Sequence, residues 1–419
     1  MSIGKREIKK EHLPIIVLVA FSILVQLAIL PNFGSLDTNA FIRVVDTVEA
    51  FGLKQGYAIY NLVYPPLSSI FAYGIHLIIP LYSFMPKHLQ VLAIKVGLAI
   101  FHYGFLACIL LFHRKNKKLS WFAATKETIP ILLNIALIES TFIIGSFDIL
   151  LAIPLFFAFY FVYKKKFFWS GFFLATAFCT KLLPILLIPA FLVFFSSKLS
   201  KEKITLNWRA VNLFFLGMLV VVVPLVAYFG YPEIREIFVK SSVHSDKLSA
   251  AFNFNRIVRE LFMPENITTP AIYYFGRGVF FLTSAFLLIR LWMSPKNIQN
   301  LLYTSIGIII TYFTFLAGVH QNHIFPALIF AILLVMYNKN SINMFIYYSI
   351  TAIAFINWFA PYGFGYFETV EYTGIRYLWQ LPVTTIGLIY ALLSLLTVFF
   401  FGGYMWLVLR PKFFRQTEK

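Results

Sequence analysis

The chain has 419 residues, of which 60% are AVILMFWYC, 19% are aromatic and only 12% are charged, with a formal net charge of +18. Soluble globular chains are about a quarter charged, so this composition, with a mean hydropathy of +0.80, excludes disorder, a disulfide-stapled secreted domain and an ordinary cytosolic enzyme. The apolar runs are continuous rather than alternating, which predicts an all-α polytopic membrane protein, because only helices and closed barrels satisfy their backbone in lipid.

Lys/Arg clusters recur between the apolar runs: at 5–10, 114–118, 164–166 and 198–209, with smaller ones at Arg290, Lys296, Lys339 and 410–419. The positive-inside rule makes these cytoplasmic and puts both termini inside. Charge distributed this way points to a bilayer and not to nucleic acid. The first apolar run follows a basic stretch and has no small-residue cleavage site after Leu30, so it is expected to remain as a span. Cys108 and Cys179 lie inside apolar runs and suggest neither a disulfide nor a zinc site.

A span needs about 20 apolar residues, which gives about 10 full spans. They read roughly 13–31, 89–112, 119–143, 148–163, 208–230, 272–292, 299–318, 324–338, 343–361 and 382–409. The whole chain, 1–419, reads as one integral-membrane domain. After the first span comes an outer region, 32–88. Phe41, Val44, Val45, Val48 and Phe51 fall at helical spacing, with Arg43, Asp46, Glu49 and Lys54 opposite. That pattern predicts an amphipathic helix in the membrane interface. Asp37 comes just before it, either as a helix N-cap or as a general base held at the membrane surface. Asp46 and Glu49 read as solvated face charges, and Tyr64-Pro65-Pro66 as a rigid turn. Residues 66–84 are apolar enough to span. Yet the clusters at 5–10 and 114–118 are both inside, and two strong spans already use the even number of crossings allowed. Residues 66–84 are therefore expected to lie along the outer interface or to dip in and return.

Glu139, Gly145 and Asp148 lie where one span ends and the next begins; Asp148 reads as a helix cap or as a hydroxyl ligand. Segment 167–197 is bounded by basic clusters on the same side, so it must go out and return. That leaves about 14 residues per leg, roughly 21 Å, short of a 30 Å hydrocarbon core. The predicted result is a short broken hairpin with Lys181 at its tip, where a charge is costly unless partnered; a snorkelling lysine is the plainer alternative. A second long outer loop, 231–271, carries His244, Asp246, Asn253 and Asn255, amides and aromatics that suit sugar recognition but also suit an ordinary polar loop. His320 and His323 share a helix face. No third ligand stands nearby in sequence, so hydrogen bonding to a phosphate or sugar is favoured over metal, with satisfied interface histidines as the plainer alternative. Beyond residue 341 the sequence reads as lipid-facing span with aromatic belts.

Taken in order, these elements resemble the GT-C superfamily of integral-membrane glycosyltransferases that use polyprenyl-phosphate sugars. The likeness rests on the outer-loop Asp37, the amphipathic helix, Tyr64-Pro65-Pro66-Leu67, Gly145-Ser146-Phe147-Asp148, the hairpin carrying Lys181 to Pro184, and His320-x-x-His323-x-x-Pro326. It is nearest to bacterial polyprenyl-phosphate-mannose-dependent mannosyltransferases and covers most of residues 13–340. The resemblance implies a GT-C-like helical fold with outer juxtamembrane helices. It further implies inverting transfer of a sugar, mannose favoured, to an extracytoplasmic acceptor hydroxyl on a glycolipid, polysaccharide or protein. Asp37 would act as catalytic base. Lys181, His320 and His323 would hold the donor phosphate, and Asp148, Tyr64, His244 and Asn253 the sugars. Where some relatives have Asp-x-Asp, this chain has Asp37-Thr38-Asn39, so no cofactor and no metal is indicated. A prokaryotic cytoplasmic membrane is expected rather than the endoplasmic reticulum. The rival reading is a transporter or flippase for a lipid-linked saccharide. Such proteins repeat their broken helices in both halves, and the 167–197 hairpin has no counterpart in the second half.

Overall fold

The computed structural model describes residues 12–32, 34, 36–60, 64–79, 82–200, 203–243, 251–262, 270–362 and 383–410. The described chain is helical apart from one antiparallel hairpin, β1 (Ser196–Ser200) with β2 (Lys203–Leu206), in the basic segment. Among the described residues six helices are long and apolar enough to cross a membrane: α4 (Lys87–Lys117), α10 (Trp208–Phe229), α13 (Pro270–Met293), α14 (Ile298–Phe315), α16 (Ser341–Tyr362) and α17 (Val383–Leu409). Multi-pass integration in a membrane follows from them.

The remaining predicted spans depart from straight 20-residue rods. Segment 119–143 is two helices, α5 (Trp121–Leu132) and α6 (Ile135–Ile144), bent by 68°. Pro130 lies inside α5 and weakens its last turn. Asn134 then caps α6, its Oδ1 accepting from Leu137 N at 3.0 Å. Composition alone could not reveal this break, because the residues flanking it, Ile131 to Leu133 and Ile135 to Ile138, are apolar on both sides. Three further predicted spans are shorter apolar helices of 17 residues or fewer: α1 (Leu13–Ile29), α7 (Phe147–Tyr163) and α15 (Gln321–Tyr337).

The amphipathic helix is longer than its apolar stripe suggested. It is α2 (Leu36–Tyr60), interrupted at Gly52, whose φ of 75° lies in the left-handed region. Asp37 therefore falls in the first turn, not ahead of the helix. Phe41, Val44, Val45 and Val48 are buried as expected, but Phe51, next to the break, is exposed. Asp46 and Glu49 are more than solvated charges: both accept from Ser83 Oγ, at 2.9 and 2.6 Å, and Glu49 also from Ser83 N at 3.0 Å. Burial, reinforced by the nearby Glu49 charge, raises the Asp46 carboxyl above its ordinary value despite the Ser83 bond. Next comes α3 (Pro66–Ile78), whose 13 residues extend about 20 Å, too short to cross.

The predicted hairpin is present. Its first leg is α8 (Phe167–Thr180), the chain turns at Lys181 and Leu182, and α9 (Leu183–Phe195) returns, its Phe195 ring meeting that of Phe167. α8 lies against α10 with backbones touching. A Cβ added at Gly171 would strike the Phe214 carbonyl, and one at Gly217 the Phe168 carbonyl. Small residues allow this approach where lipid supplies no hydrophobic drive between helices. The second outer loop is partly helical, with α11 (Tyr231–Val243) and α12 (Phe254–Phe262). At the centre are α14 and α15, with Phe325–Met336 buried throughout. One hydrophobic core runs from Phe41 to Val408.

Candidate active site

Gly145, at φ 68° and ψ 43°, ends α6 in the left-handed conformation that glycine adopts most readily. Ser146 then caps α7, accepting from Asp148 N at 3.3 Å. The cap is thus Ser146, and Asp148 is a first-turn residue, where a negative charge is favoured. Asp148 is 1% exposed. Its Oδ2 accepts from Ser146 Oγ at 2.6 Å and its Oδ1 from Lys181 Nζ at 2.5 Å. The partner required by a charge at the hairpin tip is therefore Asp148. A sugar hydroxyl at Asp148 would have to share oxygens already engaged.

Three elements hold this pair. Lys181 N donates to Ala177 O, and Ser68 Oγ of α3 donates to Thr180 O at 2.7 Å, which pins the hairpin tip to the helix after Pro65-Pro66. Phe147 stacks face to face on Phe41 of α2, and Tyr64 packs against the same Phe41 ring. Tyr64 also accepts from Tyr57 Oη through its carbonyl, at 3.4 Å. His323, just before the buried stretch of α15, is the third neighbour. It lies near enough to Lys181 for the two to interact electrostatically. Its Nδ1 accepts from His320 N at 3.3 Å, so the neutral ring carries its proton on Nε2.

Against the hairpin lies a cavity of about 170 Å³ with only apolar walls. Pro65 and Pro66 form one side, Phe178, Cys179, Leu182 and Ile185 of the hairpin another, and α10 and α11 close it with Val222, Leu225, Val226, Ile234 and Ile237. The lysine ammonium donates three hydrogen bonds at most, and Asp148 takes one. Leu182, next to Lys181 in the chain, is one of the cavity walls, while the Lys181 ammonium is turned to Asp148.

The structure thus gathers Asp148, Lys181, His323 and Tyr64, with the backbone of Asp37 in the α2 turn nearby. His320 is exposed. Asn253, expected to meet a sugar, is 0% exposed and donates Nδ2 to Phe313 O at 2.7 Å; Asn255 does the same to Phe315 O at 3.0 Å. These amides dock the loop on α14 and are not available to a ligand. His244 lies outside the described residues. Among the described residues no three His, Cys, Asp or Glu side chains meet as a metal-holding group. Sequence reasoning missed Thr38, Ser68 and Lys95. The signal for Lys95 was present, since it is the single lysine within the 89–112 run.

The sequence profile of glycosyltransferase family 87 matches residues 62–317. The chain belongs to this family of GT-C-like integral-membrane glycosyltransferases. The match spans the Pro65-Pro66 turn, the Asp148–Lys181 pair and the groove. No curated protein matches the chain. Membership makes this family 87 protein an enzyme of sugar transfer and sets aside the transporter reading.

Proposed function

We propose that this family 87 enzyme transfers a hexose, with mannose favoured by the GT-C resemblance, from a polyprenyl-phosphate donor to an acceptor hydroxyl on the outer face of a prokaryotic cytoplasmic membrane. The observation that supports the donor class is the hairpin turn, which carries the partly exposed Lys181 and, in the next residue, Leu182 of the apolar cavity wall. A phosphate joined to an isoprenoid chain matches both halves of that site: the cation takes the head, and the groove the first part of the tail. A nucleotide sugar would use only the first half.

In this reading Lys181 approaches the donor phosphate as a compact cation and stabilises the charge that develops as the phosphate leaves. His323 adds its Nε2 proton as a neutral donor. Asp37, in the first turn of α2, takes the proton from the acceptor hydroxyl as that oxygen attacks the anomeric carbon and inverts it. Tyr64 lines the approach through Phe41. The acceptor is a glycolipid, a polysaccharide or a protein.

Purified enzyme should consume polyprenyl-phosphate sugar and release polyprenyl phosphate; turnover on nucleotide sugar alone would overturn the donor assignment. Asp37→Asn should lower kcat about 100- to 10,000-fold, the usual cost of losing a general base, with donor binding intact. Near-normal turnover in Asp37→Asn, alongside loss in Asp148→Asn, would move the base to the wrong side of this scheme.

A further inference from the structure

Lys95 has no exposed surface, and its ammonium is fully engaged by carbonyl oxygens. Nζ donates to Asn32 O at 2.5 Å and to Phe142 O and Ile143 O at 2.9 Å each. Three carbonyls use all three protons, which only the charged form supplies. A charge within an apolar helix is costly, so the position must gain something that a methionine would not give. What it gains is reach. From α4 the side chain ties the end of α1 to the last turn of α6, and that turn is a π-helix (Glu139–Ile144) whose carbonyls are displaced from ordinary α geometry.

The next carbonyl in the same turn is bound from the other direction. Thr38 is buried, and its Oγ1 donates to Ile144 O at 2.6 Å. A Cβ at Gly145 would crowd both Thr38 Oγ1, at 2.8 Å, and Lys95 Cε, at 3.2 Å. One at Gly34 would meet Thr38 Oγ1 at 2.6 Å and Ile144 O at 3.3 Å. Thr38 and Lys95 therefore close on the Gly145 turn from two sides. Thr38 follows Asp37, and Asp148 follows the Gly145 turn by three residues.

We infer that Lys95 and Thr38 are positioning residues that lock the first turn of α2, and with it Asp37, to the Gly145–Asp148 turn that holds Lys181. This rests on the roles given to Asp37 and Lys181 above. The base and the phosphate cation come from segments more than 100 residues apart in sequence, and this node sets the spacing between them. Neither side chain touches substrate.

Lys95→Met strands three carbonyls and can fail to fold, so the deciding variant is Thr38→Val, which keeps the shape and removes the hydroxyl. Displacing a reacting group by about 1 Å can cost on the order of 100-fold. Thr38→Val should lower kcat about 10- to 100-fold, with donor KM within about twofold of wild type. Thr38→Ser, which restores the donor, should recover most of kcat. Independently of activity, Thr38→Val should speed amide hydrogen exchange at 36–40 and at 145–148 together. Unchanged kcat in Thr38→Val, failure of Thr38→Ser to rescue, or exchange altered in one segment alone would overturn the inference. If wild type shows no transfer from lipid donors, the functional reading fails, and the exchange result still decides whether the node couples the two turns.

Discussion

The 121–144 and 167–195 segments each interrupt an apolar run, one by a 68° bend and the other by a charged turn. At the first break the polar groups close on one another. Asn134 Nδ2 donates to Tyr347 Oη at 2.8 Å and to Thr351 Oγ1 at 2.9 Å, and Tyr347 Oη donates to Pro130 O at 2.6 Å, which takes up a carbonyl freed near the bend. At the second break the cation is only partly shielded, with 14% of the Lys181 side chain exposed. A neutral network of hydrogen bonds makes the first break a joint. Among the described side chains the second break balances its charge with one carboxylate, which makes it the candidate site. The difference lies in charge, since both breaks are polar.

The sharpest way to break this comparison is to take the ion pair apart in two steps. Lys181→Met alone should cost about 3–5 kcal/mol, because Asp148 is left as a buried charge without its partner. Adding Asp148→Asn should recover most of that stability. Donor affinity should not recover, because no cation returns. Thermal unfolding and donor titration on the single and double variants check both halves; a double variant that binds donor normally would reduce Lys181 to a structural ion.

At the joint the expectation is reversed. Asn134→Ala removes two donors and the cap of α6, and should cost about 1–3 kcal/mol, with turnover per folded molecule unchanged. Loss of activity out of proportion to loss of folded protein would turn the joint into part of the site. The smallest effect belongs to Asp46→Asn. Its carboxyl is raised above its ordinary value, so the charged form is disfavoured in the fold; its contribution is present at low pH and lost as pH rises through the raised value. Asparagine keeps the Ser83 contact without the charge. At neutral pH the variant should unfold at the same or slightly higher temperature, with less than about 0.5 kcal/mol gained.

Much of this was legible in the sequence. The sidedness of the basic clusters forced 167–197 to turn back, and the cost of a charge at its tip required a partner for Lys181. Tyr64 and His323, expected at the site, lie in the region of the Asp148–Lys181 pair. What could not be read was pairing. Asp148 precedes Lys181 by 33 residues, and hydropathy carries no information on which acid faces which base. The bend at Asn134 was hidden because hydropathy averages across it. Asn253 misled for a related reason: an amide that docks a loop has the same letters as one that binds a sugar. Lys95 was overlooked because a strong apolar run absorbs one lysine without losing its character.

The contacts of Gly171 with the Phe214 backbone and of Gly217 with the Phe168 backbone have a mechanical consequence. Two helices that meet at bare backbone have no side chains to roll over, so sliding α8 along α10 would drive carbonyl into Cα. The walls of the groove above that contact, Phe178 and Cys179 on one helix and Val222, Leu225 and Val226 on the other, are therefore fixed in width like the jaws of a locked calliper. Whatever occupies this cavity meets walls whose spacing is set by backbone contact and not by the packing of flexible side chains.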